Sequence, residues 1–125
     1  MNNQQNHVDL DISVADNSYN YKWSLVCNRS GEVDGNHPQK EAICSALGRL
    51  QVPLDVAIKN AQPVGPCVSI YQPVNLIING IVDGKETQVV ENFSNSCILN
   101  RTLDAAGVPN LLPFNEDGSY NVDNN

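Results

Sequence analysis

Four cysteines constrain this chain more than any other feature, because the chain is only 125 residues long. An even number of cysteines in so short a chain is typical of disulfide-stabilised proteins from oxidising compartments. The cysteines are Cys27, Cys44, Cys67 and Cys97, and they include no C-x-x-C pair of the kind that holds zinc. We therefore expect two disulfides rather than a metal site or free thiols, with all three possible pairings open.

The overall charge disfavours several classes of partner. Fourteen acidic and seven basic side chains give a formal net charge of −7. Such a surface repels the phosphates of nucleic acid and of anionic lipid. No apolar run approaches the ~20 residues that a membrane-spanning helix needs. We expect neither a nucleic-acid partner nor a membrane partner.

The length is that of one domain, which we place at residues 8–114. Residues 1–7 and 115–125 are polar and rich in asparagine, so we expect them to be disordered tails. The first six residues lack the apolar stretch of a secretory leader. This pattern fits a cytosolic protein or a secreted one numbered after its leader, and the cysteines favour secretion.

Alternating apolar and polar residues predict strands at residues 8–14 and 19–27. A further pair of strands, at residues 74–82 and 85–93, is joined by Asp83-Gly84, which is a strong signal for an antiparallel hairpin. We also interpret residues 111–114 as a last strand. These segments together predict an antiparallel sheet.

Apolar residues at helical spacing predict one main helix at residues 38–50, with Pro38 at a position where helices tolerate proline. Residues 51–66 contain three prolines and predict an irregular connection with room for one helical turn. A short helix is expected from Asn100, as its cap, to Gly107, which would end it. One sheet with one main and one short helix packed on one face is an α+β fold.

The sequence lacks the motifs of common enzymes, such as G-x-S-x-G, a P-loop or H-E-x-x-H. Of its two histidines, His7 lies in the expected tail and His37 precedes a helix, where a structural role is expected. Asp9 and Asp11 share one face of a strand and are expected to be solvated, because they lack the spacing of a calcium loop. We therefore expect no enzyme activity, no metal and no cofactor.

Residues 65–73 stand out because Pro66 and Pro73 flank a run of small and β-branched side chains. Each proline fixes its own φ and favours an extended conformation in the residue before it. A disulfide from Cys67 to Cys97, if formed, would restrain this segment further. Protease clefts bind rigid extended segments of this kind by main-chain hydrogen bonds. An ordinary disulfide-flanked start of a strand is the simpler interpretation of these residues alone.

Five motifs in order resemble the Streptomyces subtilisin inhibitor family of small secreted protease inhibitors. Residues 67–74 read C-V-S-I-Y-Q-P-V where the family has C-P-x-V-Y-D-P-V. Residues 35–38 read G-N-H-P against G-T-H-P, and residues 80–85 read G-I-V-D-G-K against G-x-W-x-G-K. Residues 93–97 read F-S-N-S-C against F-S-N-E-C, and Phe114 fits the family's terminal strand. The resemblance covers about residues 8–114.

The resemblance implies a fold, an activity and an assembly. It implies the disulfides Cys27–Cys44 and Cys67–Cys97, and an antiparallel five-stranded sheet with two short helices. It also implies a secreted inhibitor of subtilisin-like serine proteases that acts by substrate-like tight binding. Members of the family are commonly homodimers that pack through their sheets, so a homodimer is implied here.

The resemblance also assigns roles within one segment. The scissile bond would be Ser69–Ile70, with Ser69 as P1, the residue that enters the S1 pocket of the enzyme, and Ile70 as P1′. Asn95 would support the segment through its side chain. The complete protease-binding segment would be Gly65, Pro66, Cys67, Val68, Ser69, Ile70, Tyr71, Gln72 and Pro73, and we call it segment 65–73.

This chain departs from the family at several positions. Val68 replaces a proline, Gln72 an aspartate and Val82 a tryptophan, while Ser69 stands where Met, Lys or Leu is often found at P1. These departures keep two alternatives open. The first is a non-inhibitory binding module with the same fold, and the second is an inhibitor of a different protease class that uses another surface.

Overall fold

The computed structural model describes residues 7–28, 30–67 and 69–113. Both expected tails therefore lie outside the described residues, apart from His7. Val68 and Phe114, which the resemblance assigned to segment 65–73 and to the terminal strand, lie outside them as well.

The described residues form a five-stranded antiparallel sheet with β1 at its centre, in the order β3-β2-β1-β4-β5. Side chains on one face of β1 are buried and those on the other are exposed or half-buried, as the alternating sequence predicts. The strands are β1 Val8–Ala15, β2 Asn20–Cys27, β3 Val33–Asp34, β4 Val74–Val82 and β5 Lys85–Phe93.

The hairpin between β4 and β5 confirms the prediction at both ends of both strands. Asp83 and Gly84 both have positive φ, 53° and 82°, so the two-residue turn matches the twist of the strands. The backbone N–H of Asp83 donates to the carbonyl of His7, and the backbone N–H of His7 donates to the Asp83 carboxylate. His7, expected in the tail, is thus attached to the hairpin.

Helix α1 (Lys40–Arg49) confirms the main predicted helix and buries Ile43, Ala46 and Leu47 against the sheet. Helix α2 (Leu54–Asn60) is longer than the single turn expected for the proline-rich connection. Its start follows Pro53, which precedes the first turn instead of preventing it. Leu54 and Ile58, four residues apart, are both buried and explain why this short helix is stable.

Helix α3 (Ser96–Ala106) begins earlier than predicted. The side chain of Asn95 accepts a hydrogen bond from the backbone N–H of Ile98 at 2.9 Å, so Asn95 is the N-cap and the prediction of Asn100 is wrong. Gly107 ends the helix in the left-handed conformation, as predicted. The α+β class is confirmed, with three helices in the described residues instead of the two expected.

The prediction of a last strand at residues 111–114 is wrong for its described part. Leu111, Leu112 and Pro113 are buried outside any strand, and the Leu111 carbonyl contacts the His37 ring at 2.8 Å instead of joining a ladder. The fifth strand is β3, two residues for which the sequence predicted no strand.

The two disulfides join Cys27 to Cys44 and Cys67 to Cys97, as the resemblance implied. The first connects the end of β2 to α1 within the core. The second connects segment 65–73 to the first turn of α3. None of the described helices is long and apolar enough to cross a bilayer.

Candidate functional site

Segment 65–73 leads from α2 toward β4 and presents large apolar side chains to solvent. The side chains of Ile70 and Tyr71 are 54% and 75% exposed, and Val64, just before the segment, is 74% exposed. Ser69 is exposed as well. Adjacent exposed apolar residues mark interaction sites more often than plain structure. The exposure therefore favours a binding segment over an ordinary start of a strand.

The first half of the segment is attached to α3. Cys67 is bonded to Cys97 in the first turn of that helix. One residue earlier, the Pro66 carbonyl accepts a hydrogen bond from Nη2 of Arg101 at 3.4 Å and contacts Sγ of Cys97 at 3.8 Å. The backbone is therefore held at two successive residues before Ser69.

The second half is attached to the residues that precede α3. Nδ2 of Asn95 donates to the Ile70 carbonyl at 2.8 Å, and the backbone N–H of Gln72 donates to the Ser94 carbonyl at 2.9 Å. Val74, two residues later, is buried at the start of β4. The backbone is therefore held again directly after the Ser69–Ile70 bond.

Asn95 performs two tasks with one buried amide. Its Oδ1 accepts from the Ile98 N–H, which can only donate, so its Nδ2 is the atom that faces the Ile70 carbonyl. The cap of α3 thus fixes the orientation of the amide that contacts the segment. The resemblance had singled out this residue, and the structure brings it to the segment.

We call Ser94, Asn95, Cys97 and Arg101 the loop mount, because all of these contacts come from this short stretch of chain. The resulting arrangement leaves the Ser69–Ile70 bond on the surface between two restrained flanks. Sequence reasoning did not identify Ser94 or Arg101. The only local signal for Arg101 was its position four residues after Cys97, on the same side of a helix.

His37 lies elsewhere, fully buried at 0% exposure before α1. Its Nδ1 accepts from the Gln39 N–H at 3.0 Å, so its Nε2 carries the proton and donates to the Leu111 carbonyl. Burial lowers the pKa of His37 below its usual value of 6.5, and the charge of Lys40 lowers it further against the opposing effect of the Leu111 contact. The structural role expected for His37 is confirmed.

The remaining predicted acidic pair is exposed: Asp9 and Asp11 lie on the outer face of β1. Within the described ranges, no three His, Cys, Asp or Glu side chains converge on a position that could hold a metal ion.

Comparisons with known proteins agree on one family. The family model described as "Subtilisin inhibitor-like" matches residues 8–95. Subtilisin inhibitor-like protein 8 of Streptomyces virginiae is 31% identical over 74 residues, which cover 59% of this chain and 67% of that protein. Subtilisin inhibitor-like protein 15 of Streptomyces bikiniensis is 31% identical over 72 residues, covering 56% of this chain and 64% of its own length.

A solved structure shares the fold. Sermetstatin from Streptomyces caespitosus, crystallised in complex with subtilisin from Bacillus licheniformis, superposes with a TM-score of 0.64 at 22% identity, covering 82% of this chain and 96% of that one. Since the family model matches well over half of the residues, the chain described here belongs to the subtilisin inhibitor-like family.

Proposed function

We propose that this protein is a secreted inhibitor of subtilisin-like serine proteases and that it binds them through segment 65–73. The observation that carries the proposal is the exposed Ser69–Ile70 bond, whose backbone is held on both sides by the loop mount. Membership of the subtilisin inhibitor-like family supports it. So does the shared fold with sermetstatin, which was crystallised with a subtilisin.

The loop mount would make binding strong by ordering the segment in advance. Immobilising a flexible side chain on binding costs about 0.5–1.5 kcal/mol. Here the contacts at Pro66, Cys67, Ile70 and Gln72 are already formed within the folded protein. Folding carries most of the ordering cost, so a contact of ordinary size can reach nanomolar affinity.

The same contacts would oppose cleavage. Attack by the enzyme's nucleophile on the Ser69 carbonyl breaks the bond to Ile70, which leaves an acyl-enzyme and a free amine on Ile70. Asn95 holds the Ile70 carbonyl, and the Gln72–Ser94 hydrogen bond holds the chain beyond it. The amine therefore stays beside the acyl group and can re-form the peptide bond by displacing the nucleophile before water does.

Ser69 would set the choice of enzyme. A serine side chain at P1 buries little apolar area, which sacrifices about 1–2 kcal/mol against a large apolar residue. The sequence therefore fits an enzyme with a small S1 pocket. Binding to enzymes that prefer large P1 residues should be correspondingly weaker.

Two further properties belong to the proposal. Secretion is supported by the two disulfides, which persist in oxidising compartments.

A homodimer is supported by the outer face of the sheet, where Ile77, Ile81 and Val90 are exposed and Ile77 lies opposite Val90 in the β4–β5 register. Light scattering tests the dimer. The wild type should have the mass of two chains and Val90→Lys the mass of one. A variant that keeps the mass of two chains would place the interface elsewhere.

Titration of subtilisin with the protein is the direct test of inhibition. Enzyme activity should fall linearly to a sharp stoichiometric end point. Turnover of the protein, with cleavage at Ser69–Ile70 and no end point, would show a substrate or a non-inhibitory binding module instead. Inhibition of a different protease class with segment 65–73 left accessible would indicate another surface.

A panel of subtilisin, elastase, trypsin and chymotrypsin tests the role of Ser69. Ser69→Met should favour enzymes with large apolar S1 pockets and Ser69→Lys should favour trypsin, each by about tenfold or more. Ser45→Met, on the exposed face of α1, is the matched control and should change no inhibition constant. Equal effects of the substitutions at both positions would show that Ser69 is not the contact residue.

A further inference from the structure

Arg101 lies against segment 65–73 in a specific orientation. A Cβ atom placed on Gly65 would lie 3.3 Å from Cζ of Arg101 and 3.4 Å from both Nε and Nη1. One point almost equally distant from these three atoms lies over the face of the guanidinium, not at its edge. The flat face of Arg101 therefore covers the side of Gly65 where any other residue would carry its side chain.

Gly65 is suited to this contact for two reasons. Its φ of +106° is a conformation that residues with a side chain rarely adopt. A Cβ there would also press against the guanidinium, which would have to move by a few tenths of an ångström. The same guanidinium donates from Nη2 to the carbonyl of the next residue, Pro66, at 3.4 Å. Packing and hydrogen bonding thus act together on two adjacent residues of the segment.

The position of Arg101 along α3 makes the contact possible. Arg101 follows Cys97 by four residues, so the two side chains lie on one face of the helix, one turn apart. Cys97 is bonded to Cys67, and Arg101 contacts Gly65 and Pro66, the two residues that precede Cys67. The disulfide fixes one point of the chain, whereas the guanidinium fixes the direction in which the chain arrives at that point.

We propose that Arg101 is a positioning residue for protease binding, which orders the backbone at Gly65 and Pro66 ahead of Ser69. This inference rests on the proposed function, because the order matters for inhibition only if segment 65–73 enters a cleft. Arg101 would complement Asn95, which orders the backbone after the scissile bond. A competing explanation is that Arg101, as one of seven basic residues in a chain of net charge −7, only steers the encounter with an enzyme.

Backbone relaxation of the free protein measures the ordering directly. In Arg101→Ala, the amide order parameters of Gly65 and Cys67 should fall from the rigid range near ~0.85 toward the flexible range below ~0.6. Arg49→Ala is the matched control, because Arg49 is an exposed arginine that contacts Ser45 on α1. Order parameters that are the same in both variants would overturn the proposal.

The inhibition constant then tests whether that order matters for binding. Arg101→Ala should raise it about three- to tenfold and speed hydrolysis of the Ser69–Ile70 bond. Arg101→Lys keeps the charge but loses the planar face, so it should resemble the alanine variant. The effect should persist at about 0.5 M salt, where charges are screened beyond about 4 Å.

The outcomes separate this inference from the proposed function. Full recovery by Arg101→Lys, or loss of the effect at high salt, would show steering and overturn positioning. An unchanged inhibition constant despite a loosened Gly65 would overturn the link to binding. A wild-type protein that inhibits no enzyme of the panel would contradict the proposed function, while the relaxation data would still decide whether Arg101 orders the segment.

Discussion

The two disulfides restrain the chain to a similar degree, but they lie in different surroundings. Cys27–Cys44 spans 17 residues and joins β2 to α1, with Cys27 only 3% exposed. Cys67–Cys97 spans 30 residues and joins a surface segment to α3. Loop-closure entropy assigns them about 3.1 and about 3.6 kcal/mol of stabilisation. The two bridges reduce the entropy of the unfolded chain almost equally, so any difference in their roles arises in the folded protein.

The different locations of the two bridges predict different effects on stability and on inhibition. The first bridge packs within the core, where its removal leaves a gap between sheet and helix. The second lies close to the Ser69–Ile70 bond, and both of its cysteines are only half-buried. We therefore expect the first to affect mainly unfolding and the second to affect inhibition as well.

Removal of the core bridge should have the largest effect on stability. Cys27→Ala with Cys44→Ala should lower the free energy of unfolding by about 4 kcal/mol, of which about 3 comes from the unfolded chain and about 1 from lost packing. Equilibrium urea unfolding measures this loss. The inhibition constant of the folded fraction should stay constant, and a large rise in it would break the comparison.

Removal of the surface bridge should cost slightly less stability and far more inhibition. Cys67→Ala with Cys97→Ala should lower the free energy of unfolding by about 3.5 kcal/mol. Freeing two or three residues of the segment should raise the inhibition constant about 100-fold. Equilibrium urea unfolding measures the first effect, and titration of subtilisin measures the second. If this folded variant inhibits as well as the wild type, inhibition does not depend on the restraint that the disulfide supplies.

Asn95→Ser sharpens the comparison at the other side of the Ser69–Ile70 bond. Serine caps helices about as well as asparagine, but it is too short to reach the Ile70 carbonyl. The free energy of unfolding should fall by less than about 1 kcal/mol, while the inhibition constant should rise about tenfold. Asn95→Ala, which loses the cap as well, is the paired variant. A serine variant as poor in stability as the alanine variant would show that the loop contact, not the cap, stabilises the fold.

Acid should lower the free energy of unfolding through His37, with the smallest of these effects. Because burial lowers the pKa of His37 in the folded protein, the unfolded chain binds a proton there more readily. The stabilisation is complete above pH 6.5, the ordinary pKa, and decreases as the pH falls below it toward the folded pKa. Urea midpoints across this range should show the decline in the wild type and in His7→Gln. His37→Gln should remove this contribution, and an unchanged pH dependence would exclude His37 as its source.

The sequence predicts those elements whose signals are local. The β4–β5 hairpin follows from Asp83-Gly84 between two apolar runs, and α1 follows from its apolar spacing. Helix α2 is longer than the one turn expected, because the prolines of residues 51–66 predicted an irregular connection whereas Pro53 precedes the first turn of the helix. The predicted start of helix α3 at Asn100 was too late, because Asn95, which also contacts the Ile70 carbonyl, caps the helix.

The candidate site was less accessible to sequence reasoning. The prolines of segment 65–73 indicated restraint, and the resemblance supplied Asn95 and the pairing of Cys67 with Cys97. Arg101 had only the weak signal of its spacing after Cys97, because it lies 35 residues from Pro66 and the fold alone brings the two together. A contact between distant segments is fixed by the fold, not by either segment alone.

Apart from the disulfide, the loop mount holds backbone atoms: the carbonyls of Pro66 and Ile70 and the N–H of Gln72. The exposed side chains of Ser69, Ile70 and Tyr71 contribute nothing to these attachments. Substitutions at those three positions can therefore accumulate in evolution without unfolding the protein. Single substitutions at these positions could therefore change which protease is bound, while the loop mount that holds the backbone stays the same.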